Sequence, residues 1–320
     1  MKYLIRSHIA PLSLIVLSLI LSACGGGDSS MTTGRLAISI TDAPVDEAEA
    51  VVIYVTNATV QMSNSDNADE QRSVFDILDP VTGQSGRSID LLQLTEGNSV
   101  VLFDEVVTAG QYSWIRLDVD FDPQKTYIQI DGQRYPLSCA SCVNNGLKLN
   151  RSFNVSADNA LALTLDFDLR KSITNPMSDN DYKLRPTIRI VETELAGMIG
   201  GIVDETLIAQ LGGIEGCGIY IYEGHDATPE DIFLPLVGGI PEEFSNPITT
   251  TQVRYNEQAS RYEYRAAYLP ASEYTITLSC DGELDDPLVN NTGITFTGTA
   301  DTSITAGETT TYNFDAPPIT

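Results

Sequence analysis

Val107-Thr108-Ala109-Gly110-Gln111-Tyr112-Ser113-Trp114 runs directly into Ile115-Arg116-Leu117-Asp118-Val119. The first half has the small residues of a turn. The second alternates apolar and polar side chains with period two, as a strand with one buried face does. The same order of residue types (apolar, turn, alanine, small, polar, tyrosine, hydroxyl, apolar) returns in Leu269-Pro270-Ala271-Ser272-Glu273-Tyr274-Thr275-Ile276. Two related sandwiches account for the recurrence, and so does independent use of the same turn chemistry. Either way each copy reads as a turn feeding a strand, with its tyrosine near a sandwich end.

Working outward, Leu36–Ile40, Val51–Val55 and Leu161–Phe167 are β-branched or apolar on one parity. Tyr127 to Leu137 reads as a hairpin around Asp131-Gly132. Helical signals are short: a turn over Asp46 to Ala50, and a start at Thr228-Pro229-Glu230-Asp231, with an N-cap, an N1 proline and an acidic first turn. The pattern predicts an all-β chain of two tandem β-sandwich domains, 34–192 and 197–320. The 320 residues suit two domains, and 42% hydrophobic content is that of a globular chain. With 44 acidic against 18 basic side chains and a net charge of −26, nucleic acid is excluded as a partner and a basic membrane-adsorbing patch is not expected.

Residues 1–23 carry Lys2 and Arg6, then an apolar run from Leu12 to Leu21 with no acidic residue. This is a secretory signal pattern, too short for an ordinary spanning helix. Its end, Leu21-Ser22-Ala23-Cys24, resembles the lipobox of bacterial lipoprotein precursors. The resemblance implies cleavage before Cys24, diacylglycerol on its sulfur and acylation of its amine, with several chains giving stable anchoring. Residues 24–33, opening Gly25-Gly26-Gly27, read as a flexible tether. Gly25 after the lipidated position implies the outer membrane by the enteric sorting rule. The expected location is therefore the cell envelope, with the membrane a partner through the lipid anchor. Loss of the signal removes His8 and leaves His225 as the remaining histidine.

Gly34 through Ile190, with Ile40-Thr41-Asp42-Ala43-Pro44, Ile89-Asp90-Leu91-Leu92, Gly110-Gln111-Tyr112 and Leu184-Arg185-Pro186, resembles domain-of-unknown-function family 4382. Members are exported prokaryotic proteins, often lipoproteins, and the resemblance implies no established activity. Residues 197–320, opening Gly197-Met198-Ile199-Gly200-Gly201-Ile202-Val203, resemble carboxypeptidase-regulatory or prealbumin-like sandwiches, which are usually accessory modules. Ser272 departs from the glycine many of them carry.

Five cysteines resolve as Cys24 plus an even four. Cys139-Ala140-Ser141-Cys142 has the spacing of a redox pair or half a zinc site. It lies between a hairpin and the Asn144-Asn145-Gly146 turn rather than at a helix start, and zinc would need two more ligands. An oxidising envelope and domain separation favour disulfides Cys139–Cys142 and Cys217–Cys280. Asp118, Asp120 and Asp122 alternate with apolar residues, as do Asp166 and Asp168. As neighbouring strands, Asp118, Asp120, Asp166 and Asp168 would crowd charge and hold Ca²⁺; otherwise they form a solvated face. Pro123 and Gln129 exclude an EF-hand loop. No cofactor beyond calcium is indicated.

His225 lacks a G-x-S-x-G elbow and reads as a surface-loop residue. With 44 acids, carboxylate pairs arise by chance. Trp114 and Tyr112 read as strand packing rather than as a sugar platform. No catalytic residue is assigned. The expected function is non-catalytic binding, adhesion or scaffolding in the envelope, with an envelope protein or glycan as partner. The rivals are an envelope hydrolase acting on polysaccharide and a calcium-stiffened spacer.

Overall fold

The computed structural model describes residues 32–43, 48–63, 72–175, 180–235, 239–240, 244–290 and 293–316. The expected signal peptide, Cys24, the tether as far as residue 31, and Asp46 and Glu47 of the expected Asp46–Ala50 turn lie outside the described residues; the rest of that turn is not helical, because Ala50 already opens a strand.

The first domain runs through β1 (Thr33–Ala43), β2 (Ala50–Met62), β3 (Arg72–Asp76), β4 (Arg87–Asp90), β5 (Val100–Thr108), β6 (Gly110–Val119) and β7 (Tyr127–Ile130). It continues through β8 (Gln133–Pro136), β9 (Leu147–Leu149), β10 (Phe153–Val155), β11 (Ala160–Asp168), the single turn α1 (Leu169–Ser172), β12 (Ile173–Thr174), β13 (Lys183–Leu184) and β14 (Ile188–Glu192). One sheet has the order β14-β11-β1-β5, with β1 and β11 parallel; the other has the order β10-β6-β2-β7-β8, with β3 and β4 also pairing β2 and β9 pairing β6. Alternation places Leu36, Ile38, Ile40, Leu163, Leu165 and Phe167 of the first sheet against Val51, Ile53, Ile115 and Leu117 of the second in one core. The β7–β8 hairpin turns at Asp131 and Gly132, both at positive φ (49° and 72°), as an Asp-Gly two-residue turn requires.

After a turn at Thr193–Leu195, the second domain comprises β15 (Ala196–Val203), α2 (Glu205–Gln210), β16 (Gly218–Glu223), β17 (Thr249–Asn256), β18 (Arg261–Pro270), β19 (Glu273–Ser279), β20 (Thr297–Ser303) and β21 (Thr309–Thr311). The strand order is β20-β19-β16-β17-β18-β15-β21. Thr249–Gln252 of β17 pair with β16 and Val253–Asn256 with β18, so β17 passes from one sheet of the sandwich to the other. Ile199, Ile219, Ile221, Val253, Leu269, Ile276 and Leu278 fill the core between them.

The two recurrent segments do the same thing. Tyr112 and Tyr274 are buried, and each phenol donates to the carbonyl four residues upstream, Thr108 and Pro270, both at 2.7 Å. Each ties a strand to the turn that feeds it, and burial raises both phenol pKa values. The Thr228–Asp231 helix does not form. The Glu230 carbonyl accepts from the Tyr222 phenol and the Ile232 N–H donates to Asp285, so side chains hold this segment extended across the outer face of β16. In contrast, α2 forms where Asp204 caps the N–H groups of Thr206 and Leu207.

Candidate functional site

The charged side chains buried among the described residues are Asp42, Asp166, Asp168, Arg170, Lys171, Asp231 and Asp285, and they gather where the two domains meet. Strand β11 is buried on both faces from Leu163 to Asp168 because its outer parity faces the second domain. Asp166 pairs with Arg189, and Asp168 caps α1 and pairs with Lys171 at 2.9 Å. Lys171 Nζ also donates to the carbonyls of Pro247 and Ile248, at 2.6 and 2.9 Å. Arg170 enters the second domain, where a Cβ on Gly282 would stand 2.9 Å from its guanidinium. Its Nη1 donates to the Tyr220 phenol at 2.8 Å, and that phenol donates to Asp285 at 2.7 Å. Burial pushes the Asp285 carboxyl up to about 6, opposed by its hydrogen bond from Tyr220 and by Arg170. Arg185 adds donations to the carbonyls of Leu234 and Pro235. These contacts fasten the two sandwiches together.

Beside this junction, the outer face of β21-β15-β18-β17 forms a groove of about 590 Å³. Register sets its floor: Gly200 lies opposite Arg265, Ile202 opposite Glu263, Arg254 opposite Glu263 and Asn256 opposite Arg261. A Cβ on Gly200 would stand 3.0 Å from the Tyr264 carbonyl oxygen, so the floor there is bare backbone. Thr309, Thr311 and Asn313 line one side, and Glu96 of the first domain another. Tyr268 holds the Glu96 turn in place by donating to the Gly97 carbonyl at 3.1 Å and to Ser99 Oγ at 3.0 Å.

The groove's electrostatics are specific. Asn256 donates to Glu263 at 2.9 Å and Arg261 pairs with it, and these two contacts, with the nearby Arg265 charge adding a smaller pull, hold the Glu263 carboxyl below its ordinary value. Arg254 donates to Gln252 at 2.9 Å and stands 3.9 Å from Glu96. Arg265 is exposed, and its guanidinium makes no hydrogen bond or ion pair among the described residues. Sequence reasoning missed these three arginines. The signal was there, because they are the only lysine or arginine residues from 196 onward, set against nineteen acidic ones.

Cys139–Cys142 and Cys217–Cys280 are disulfides. The four candidate calcium aspartates are not brought together: Asp118 lies on β6 in the second sheet of its domain, with Asp120 just beyond, whereas Asp166 and Asp168 lie on β11 in the first. Each has its own cation. Arg116 stands 3.0 Å from Asp118 and Lys125 2.6 Å from Asp120, a hydrogen bond that lowers the Asp120 pKa. The expected solvated face fails at Asp166 and Asp168, because the second domain covers them. No cluster of three metal-ligating side chains occurs among the described residues. His225 sits on the surface with Nε2 3.2 Å from the Thr302 carbonyl oxygen. Tyr112 packs in the core as expected, but Trp114 lies half-buried on the outer face, with Lys148 Nζ 4.7 Å and Arg72 5.8 Å from its ring centre.

Residues 33–186, just under half of the chain, match the family described as Domain of unknown function (DUF4382). No curated protein matches the chain. Among solved structures, the minor pilin GBS52 of Streptococcus agalactiae is similar at 10% identity and a TM-score of 0.19, over 90% of this chain and 99% of that one. A candidate cell adhesion protein of Bacteroides fragilis follows at 11% identity and 0.25, over 89% and 95%. A streptococcal ancillary pilin follows at 12% identity and 0.20, over 88% and 68%. Similarity at these scores carries no functional argument.

Proposed function

We propose that this is a non-catalytic cell-envelope protein, anchored through lipid on Cys24 at the outer membrane, whose two joined sandwiches present the groove as a recognition surface. One observation carries the reading: the groove's carboxylates are each set against an arginine, Glu263 against Arg261 and Glu96 against Arg254. Glycoside hydrolysis needs one carboxyl poised to donate a proton, with a raised pKa, and Glu263 is shifted the other way. The raised carboxyl, Asp285, is taken up by Tyr220 and the Ile232 N–H within the junction. Such a surface suits binding or scaffolding, and the second domain's resemblance to accessory modules fits the same role. Two measurements test it. Palmitate labelling should disappear in Cys24→Ser, and incubation with envelope polysaccharides should release no reducing ends. Labelling that survives the substitution, or steady release of reducing ends, would refute the reading.

A further inference from the structure

We propose that the groove over Gly200 binds a sugar acid, one carboxylate amid neutral hydroxyls, with the Arg265 guanidinium holding the carboxylate. The inference rests on the reading of this groove as a recognition surface and names its ligand class.

The argument starts from scarcity. All three arginines of the second domain, which has no lysine, line a single groove, in a domain with nineteen acidic residues. Glu263 and Gln252 already engage Arg261 and Arg254 directly, whereas Arg265 acts on Glu263 only through its charge and keeps its hydrogen-bond donors open. It faces bare backbone at Gly200, so no side chain across the strand pair covers it. A planar guanidinium fork pairs with a carboxylate through two parallel hydrogen bonds.

The rest of the wall decides among anions. A phosphate near −2 would face Glu96 and Glu263 with one open cation, and a polyanion would meet the domain's negative field at every further charge. A single carboxylate on an otherwise neutral molecule meets neither penalty. The hydroxyls of Thr309 and Thr311 and the apolar surface of Ile202 and the half-exposed Tyr255 suit a ring with polar edges and an apolar face. The groove is an open sheet face rather than a closed apolar hole of the kind that anchors a peptide side chain.

Both cores are built from residues after 33, so residues 32–320 are the protein for this test. Cellobiouronate, a disaccharide of glucuronate and glucose, is titrated and followed calorimetrically or by NMR, with cellobiose as its neutral match and acetyl-aspartate amide as the peptide-like acid. The expected result is saturable binding of cellobiouronate that weakens about tenfold or more for cellobiose and for Arg265→Gln, and weakens in high salt. Arg265 is exposed, so the variant should keep the wild-type melting temperature. Absent saturable binding, equal affinity for cellobiose, indifference to Arg265→Gln, or tighter binding of acetyl-aspartate amide would each overturn the inference. Splitting of the disaccharide is a separate readout and would instead contradict the non-catalytic reading.

Discussion

Replacing Arg170 by methionine tests whether the junction holds the two sandwiches together. Arg170 is 5% exposed and its guanidinium donates to Tyr220 at 2.8 Å, and Tyr220 in turn donates to Asp285. Removing one member of a buried charged network leaves the other unpaired, at about 3–5 kcal/mol. For a chain of this size that corresponds to a melting temperature lower by about 6–15 °C. The loss should depend on pH, with a sign fixed by Asp285. Its carboxyl sits at about 6 in the folded protein, against about 3.9 for an ordinary aspartate, and it rises further once the Arg170 charge is gone. The folded state then keeps a proton over a range where the unfolded state has lost it, so stability falls as pH rises through that range. Urea denaturation of residues 32–320 should therefore show a larger deficit for Arg170→Met at pH 7 than at pH 5. A deficit below about 1 kcal/mol, or one equal at both pH values, would refute the reasoning.

Three further outcomes are expected. Asp285 should cost the wild-type protein about 3 kcal/mol of stability between pH 4 and pH 6, its raised pKa worked through linkage; Asp285→Asn should flatten that slope in urea titrations, and an unchanged slope would assign the proton elsewhere. Tyr112→Phe and Tyr274→Phe should each cost about 0.5–1.5 kcal/mol in chemical denaturation, because each deletes one buried bond to a turn carbonyl; a loss in only one domain would break the equivalence of the two motifs. Millimolar Ca²⁺ or EDTA should leave the melting temperature unchanged, since Asp118 and Asp120 are separated from Asp166 and Asp168 and each already has a cationic partner. A calcium-dependent rise would point to a site outside these four.

Much of the fold is legible in local pattern. Period-two alternation identifies β1, β2, β6 and β11, Asp131-Gly132 identifies a hairpin, and the Tyr112 and Tyr274 segments mark the same corner in both sandwiches. What local pattern does not carry is the identity of the body covering a polar face. Asp166 and Asp168 alternate with apolar residues as solvent-facing side chains would, yet they are 4% and 2% exposed because the second domain closes over them. Thr228-Pro229-Glu230-Asp231 is a sound helix start whose surrounding backbone groups are claimed instead by Tyr222, on the strand just before it, and by Asp285, more than fifty residues on. The groove is missed for a related reason. Arg254, Arg261 and Arg265 reach one face only when β17, β18 and β15 pair in register, although their isolation as the second domain's only cations was visible beforehand.

The most direct test of the groove as the functional site is a backbone amide shift map of residues 32–320 titrated with cellobiouronate. The account predicts that the largest shifts fall on Gly200, Ile202, Arg261, Glu263 and Arg265 and that the first domain's sheets stay still. Shifts centred on Trp114 and its neighbours on β6, or no shifts at saturating ligand, would contradict it.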